Sequence, residues 1–251
     1  MNNRMKYLLF LLPLILLSCE KEIDPNPSKK YDEWLIQSYE YYPLEVGSYR
    51  TYQVDSIYFE RRLNVLRSDT ISDIYRESIV DTFRNLQNEL TYRIIKERQS
   101  GDNWLTDRVY SVVKSRTKVV RTEENISLVD LVFPFKKLTS WDAFIYTDKN
   151  RDFLINGRRI YLYKNFTLSY VKDSTIQTVL GNNTSVITVE DGDSDDLIER
   201  QLSRRYYAKG IGLIRKEQEF YGDQTTLDRG IPWDQKAETG FKLTQSLIDF
   251  K

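Results

Sequence analysis

Between Arg50 and Ile248 the chain consists of short runs in which β-branched and aromatic residues alternate with charged ones, and no long stretch holds a 3.6-residue period. Arg50–Phe59, Leu90–Ile95, Arg108–Val113, Arg159–Tyr163, Thr184–Val189 and Gly212–Glu217 are the clearest of these runs. Such alternation suits antiparallel strands with one face buried and the other wet. Turn chemistry separates them. Asn156-Gly157 between Phe153–Ile155 and Arg158–Ile160 is a two-residue hairpin signal, and Ser100–Asn103 and Gly181–Asn183 mark looser ones. Tyr31–Tyr41, with Trp34, Leu35 and Ser38 on one side, is the best helix candidate. Asp69–Phe83 and Leu197–Arg205 leave helix and strand open. The expected fold is therefore mainly β: a curved antiparallel sheet, half-barrel or sandwich-like, with one or two short helices.

The N-terminus carries a different signal. Arg4 and Lys6 precede the apolar run Tyr7–Leu17, which is shorter than the ~20 residues a membrane helix needs and is interrupted by Pro13. It reads as an export signal. Leu16-Leu17-Ser18-Cys19 then resembles the bacterial lipobox, in which a cysteine after a small residue is acylated through its sulfur and becomes the new N-terminus. Cys19 is the one cysteine of the chain and stands where the motif requires it. Several acyl chains on one residue make attachment stable, since each buried CH₂ adds about 0.8 kcal/mol. The expected organisation is a cleaved lipoprotein signal peptide over 1–18, an acylated cysteine and flexible tether over 19–32, and a single antiparallel β domain over 33–251. Lys21 and Glu22, directly after Cys19, read either as a surface-export signal or as part of a generic hydrophilic tether.

Residue counts narrow the chemistry. The chain has no histidine, so Ser-His-Asp triads, Cys-His pairs and His-ligated metal sites lie outside its means. Basic and acidic residues balance at 37 each, without the basic excess of a nucleic-acid binder, so no nucleic-acid partner is expected. Asp191-Gly-Asp193-Ser-Asp195-Asp196 has calcium-loop spacing, but Asp196 and Leu202 occupy the positions where an EF-hand needs glycine and glutamate. It reads as an acidic hairpin tip. Gly210-Ile211-Gly212 lacks the third glycine of a dinucleotide loop and reads as a tight corner. No catalytic residue, metal ligand or cofactor is assigned. Tyrosine is abundant (18), and Tyr41, Tyr42, Tyr206 and Tyr207 are the candidate ligand or partner surface.

Tyr41–Ile57, Leu131–Lys137 with Trp141-Asp142, and Tyr206–Glu217 together resemble, in matching order, a family of uncharacterised Bacteroidota outer-membrane lipoproteins. Leu138 departs from the glycine that the family pattern has before the tryptophan. The resemblance implies an outer-membrane address, on the periplasmic side or the cell surface, and supplies no activity. The functional expectation is a non-enzymatic binding or scaffolding protein held to the membrane by its acyl chains, with an envelope protein or an apolar or glycan ligand as partner. Two alternatives stand beside it: a carrier shielding a lipid or other apolar ligand in its curved sheet, and a carbohydrate-acting enzyme using a carboxylate pair.

Overall fold

The computed structural model describes residues 27–63, 65–155, 158–222, 228 and 230–251. Cys19, Lys21 and Glu22 lie outside these. The first element is the helix α1 (Pro27–Tyr39), followed by the long meander β1 (Tyr49–Arg62), β2 (Val65–Arg84), β3 (Leu90–Ser100), β4 (Asn103–Lys114), β5 (Lys118–Glu123) and β6 (Ile126–Val132). After β7 (Ser140–Trp141) and the small hairpin β8 (Phe153–Ile155) and β9 (Arg158–Ile160), a second meander runs through β10 (Ser169–Val179), β11 (Asn182–Asp195), β12 (Glu199–Ala208) and β13 (Gly212–Gly222). The short α2 (Trp233–Lys236) and β14 (Thr239–Phe250) complete the chain.

Twelve strands form one sheet in the order β6-β5-β4-β3-β2-β1-β14-β13-β12-β11-β10-β7, with every pairing antiparallel. β14 joins the two meanders by pairing with both β1 and β13. The sheet curls into a nearly closed barrel. A sandwich is excluded because no second large sheet is packed on the first among the described residues; β8 and β9 pair only with each other. The open seam lies between β6 and β7. It is bridged by the backbone of Val129 and Ala143 (N to O, 2.9 Å) and by the Trp141 indole, which donates to the Val129 carbonyl at 2.8 Å.

Several local expectations match. Leu180-Gly181 turns β10 into β11 with φ of 46° and 85°, and Gly101-Asp102 turns β3 into β4. The two runs left open between helix and strand are both extended, as β2 and β12. β8 pairs with β9 as the hairpin signal predicts, although Asn156-Gly157 themselves lie outside the described residues. Three expectations need correction. The strand read over Arg159–Tyr163 ends at Ile160, and the chain turns after Tyr161. Helix α1 begins at Pro27, so the last part of the stretch read as tether, 27–32, is helical; proline is well tolerated in a helix's first turn. The acidic run is a hairpin tip only at its end: Asp196 makes the β11–β12 turn, its Oδ1 accepting from the Ile198 and Glu199 N–H groups, whereas Asp191 lies within β11 and is buried.

Leu138 adopts φ 67° in the turn before β7, with its side chain largely exposed, and its N–H donates to the Val171 carbonyl at 2.7 Å. The left-handed region costs an L-residue roughly 1–2 kcal/mol, part of which glycine returns as chain entropy on folding. Leu138→Gly is therefore expected to raise the midpoint of thermal unfolding by about 2 °C. A lower midpoint would show that the leucine side chain contributes more than its backbone costs.

Candidate functional site

The barrel is closed differently at its two ends. At one end α1 lies against the ends of β4, β5 and β6. Trp34 donates to the Phe135 carbonyl at 2.8 Å, the Tyr39 ring meets the Phe133 ring at 4.7 Å, and the Lys114 ammonium donates to the Tyr39 and Tyr42 carbonyls at 2.9 and 2.8 Å. Beneath this cap the interior is filled by Ile79, Ile94, Val112, Leu131, Val171, Ile187 and Val189. Across the other end runs the segment between β7 and β10. It pins Phe166 beside Phe144 and Tyr163 and sets Ile160 against Phe220 and Phe241.

Between the two closures lies a chamber of about 820 Å³. Period-two alternation fixes its lining. Tyr52, Val54 and Ser56 of β1 face in, as do their cross-strand partners Tyr75, Asp73 and Ile71 of β2. Gln53, Asp55, Arg76, Arg93 and Glu97 occupy the opposite, outward face. That outer face is polar, and a cation at a bilayer midplane would cost a barrel strand ~2–4 kcal/mol. The rim away from α1 is made by Glu124, Ile126 and residues 151–154.

Charge inside the barrel is organised as a chain. The Arg205 guanidinium forms a fork on buried Asp191, with Nε to Oδ2 at 3.0 Å and Nη2 to Oδ1 at 2.5 Å. Its Nη1 donates to Asp130 Oδ1 at 2.8 Å. Asp130 Oδ2 accepts from the Tyr42 hydroxyl at 3.0 Å and from Arg121 at 3.3 Å. Arg121 continues to Glu123 at 2.6 Å, and Glu123 to Arg108 at 2.9 Å. Ser169 and Ser203 donate to the Asp191 carboxylate at 2.6 and 3.1 Å, completing its shell. Burial discourages the charge on Arg205, but the pull of Asp191, Tyr207 and Asp130 outweighs it and holds the pKa above the ordinary arginine range. Burial likewise pushes the Glu123 carboxyl up, and Arg121 and Arg108 outweigh that and hold it below the usual carboxylate range.

The four candidate tyrosines do not form one surface, which corrects the expectation. Tyr42 and Tyr207 line the chamber with ring centroids 5.9 Å apart, and burial raises the pKa of both. Tyr41 is buried against Phe135 and donates to Ser185 at 2.7 Å. Tyr206 lies on the outer face, donating to Glu217 at 2.9 Å. Nearby on that face Glu190 accepts from Tyr170, Lys172 and Arg204; burial alone would raise its pKa, and these three donors bring it down to about 2. Comparison with protein-family models, with curated proteins and with solved structures found no match to this chain. The site must therefore be read from its own chemistry.

Sequence reasoning missed Asp130, Arg121, Glu123, Arg205 and Lys216, which give the chamber its polarity. One signal for them was present. Asp130 interrupts the apolar run Leu128–Val132, and a carboxylate inside a strand of that kind requires a buried partner.

Proposed function

We propose that the chain is a lipid-anchored envelope protein, held by Cys19, whose barrel binds a small amphipathic ligand in its chamber rather than acting on it. The observation that carries this reading is the chamber itself. Its volume falls in the roughly 300–1,000 Å³ range of ligand sites, and its wall mixes aromatic and aliphatic side chains with a few convergent polar groups. A scaffolding barrel has no need of an unfilled interior. The polar wall favours a ligand with a charged or hydroxylated part over the purely apolar cargo of the carrier alternative.

One chamber carboxylate is unsuited to the glycosidase alternative: Glu123 accepts from Arg108 and Arg121, which hold it below the usual carboxylate range and make it a poor general acid. The anchor fits the geometry as well. Seven residues lie between Cys19 and Pro27, eight Cα–Cα steps that span at most roughly 29 Å, so the acyl group keeps the α1 end near the membrane and the opposite rim away from it. Two measurements test the proposal. Cys19→Ala should abolish fatty-acyl labelling and leave a precursor of full length; persistent labelling would overturn the anchor. Native mass spectrometry of acylated protein extracted from the envelope should show a small molecule that denaturation releases. Uniformly ligand-free protein that also takes up no small molecule on titration would overturn the binding role.

A further inference from the structure

Five arginines line the chamber. Arg108, Arg121 and Arg205, on β4, β5 and β12, are engaged by carboxylates; Arg50 of β1 donates to the Ile211 and Pro43 carbonyls at 2.5 and 2.8 Å; and Arg151 stands exposed at the rim. Two lysines join them. Lys96 of β3 lies over the Tyr75 ring at 4.3 Å and has Glu77 as its cross-strand neighbour. Lys216 of β13 differs. It lines the chamber, yet among the described residues it makes no hydrogen bond, ion pair or ring contact. Its cross-strand neighbours are Arg205 and Gln245, and neither offers a negative charge.

The geometry points to Lys216 as the anchor for an anionic group, so that the chamber takes an organic anion, a carboxylate or phosphate ester, whose apolar body lies along Tyr52, Val54 and Tyr207. This rests on the reading of the chamber as a ligand site and adds the chemical class of the ligand. The physical argument is one of compensation. Lys216 is half-buried on the chamber wall, and an ammonium there with no hydrogen-bonded partner leaves its charge available to an anion that enters. Arg108, Arg121 and Arg205 cannot serve in its place, because releasing one from its carboxylate would leave that carboxylate unpaired, and Arg50 is taken up by the Ile211 and Pro43 carbonyls. Burial and the nearby Arg121 guanidinium bring the Lys216 pKa down to about 8 against the opposing pull of Glu123, so the local field of the wall is net positive at this position. Tyr52 and Tyr207 supply flat walls that suit a ring or a short chain.

The test uses the mature acylated protein in dodecyl maltoside micelles and three probes of one shape: 4-phenylbutyrate, 4-phenyl-1-butanol and 4-phenylbutylamine. Affinities are measured by ligand-observed NMR against protein-free micelles. The acid is expected to bind at least tenfold more tightly than the alcohol, and the amine more weakly than either. Lys216→Met should remove the preference for the acid while leaving the alcohol's affinity unchanged, and Lys216→Arg should restore the preference. Near-UV circular dichroism of both variants establishes that the barrel is intact. Equal affinity of acid and alcohol for the native protein, or a preference that survives Lys216→Met, would overturn the assignment of Lys216 while leaving the chamber a ligand site. Failure of all three probes to bind would overturn both.

Discussion

Arg205→Ala is expected to lower the stability of the barrel by about 3–5 kcal/mol, the cost of leaving a buried ionic partner uncompensated. For a domain of this size that corresponds to a fall of roughly 6–20 °C in the thermal midpoint. The effect is large because Arg205 serves two carboxylates on opposite sides of the seam: Asp191 on β11 and Asp130 on β6. Both are almost fully buried. Removing the guanidinium leaves two buried anions, with only Arg121, Tyr42 and the Ser169 and Ser203 hydroxyls to satisfy them. Arg205→Lys keeps the charge but cannot fork, so an intermediate loss is expected. Combining Arg205→Met with Asp130→Asn and Asp191→Asn should recover much of the loss, because no formal charge is then stranded. Hydrogen exchange gives a local readout: amides of β6 should exchange faster in Arg205→Ala, whereas β2 and β3, paired on both sides, should change least. A thermal midpoint within 2 °C of the native protein would show that the interior is wetter than its burial implies.

The importance of Arg205 was hidden in the sequence for a reason that also explains what could be read. Period-two alternation reports that a strand has two unlike faces, and it located β1, β3, β4, β11 and β13 well. It does not report which face is inside. In an ordinary sheet the polar face is the wet one, and Lys96, Arg108, Arg121, Arg205 and Lys216 would all be assigned to solvent. Here the barrel encloses a polar chamber, so on β3 the inward positions Ile94 and Lys96 are no more uniformly apolar than the outward Arg93, Ile95 and Glu97. The local signal and the global fold therefore disagree about the charged residues, and only strand order decides between them. The tyrosines fail for a related cause. Tyr206 and Tyr207 are adjacent in sequence and consequently face opposite sides of β12, so a pair that reads as one cluster is divided between the outer surface and the core. The acidic run at 191–196 misleads because Asp191 is paired with a residue fourteen positions away, beyond the reach of any local motif.

The segment between β7 and β10 shows how the chamber is kept covered, and it yields the second large effect. Gly192 sits at the bulge of β11, and the ring of Phe166 rests directly on it. A Cβ at position 192 would lie 2.0 Å from Phe166 Cδ1 and 2.2 Å from Cε1, far inside contact distance. The ring cannot simply turn aside, because it is almost fully buried and packed beside Phe144 and Tyr163, each with its centroid 6.2 Å away. Gly192→Ala should therefore displace Phe166 and the covering segment with it, at a cost of about 1–3 kcal/mol for overpacking. Phe166→Ala alone should cost about 3–5 kcal/mol through the cavity it leaves. The decisive comparison is the double variant. With the ring gone, the added methyl group has room, so Gly192→Ala on the Phe166→Ala background should change stability by no more than a few tenths of a kcal/mol. Equal cost on both backgrounds, measured by urea unfolding, would mean that position 192 is strained by its own backbone and that the Phe166 contact is incidental. The expected coupling would instead establish that this glycine is kept small to seat the Phe166 ring, and with it the segment between β7 and β10 on β11.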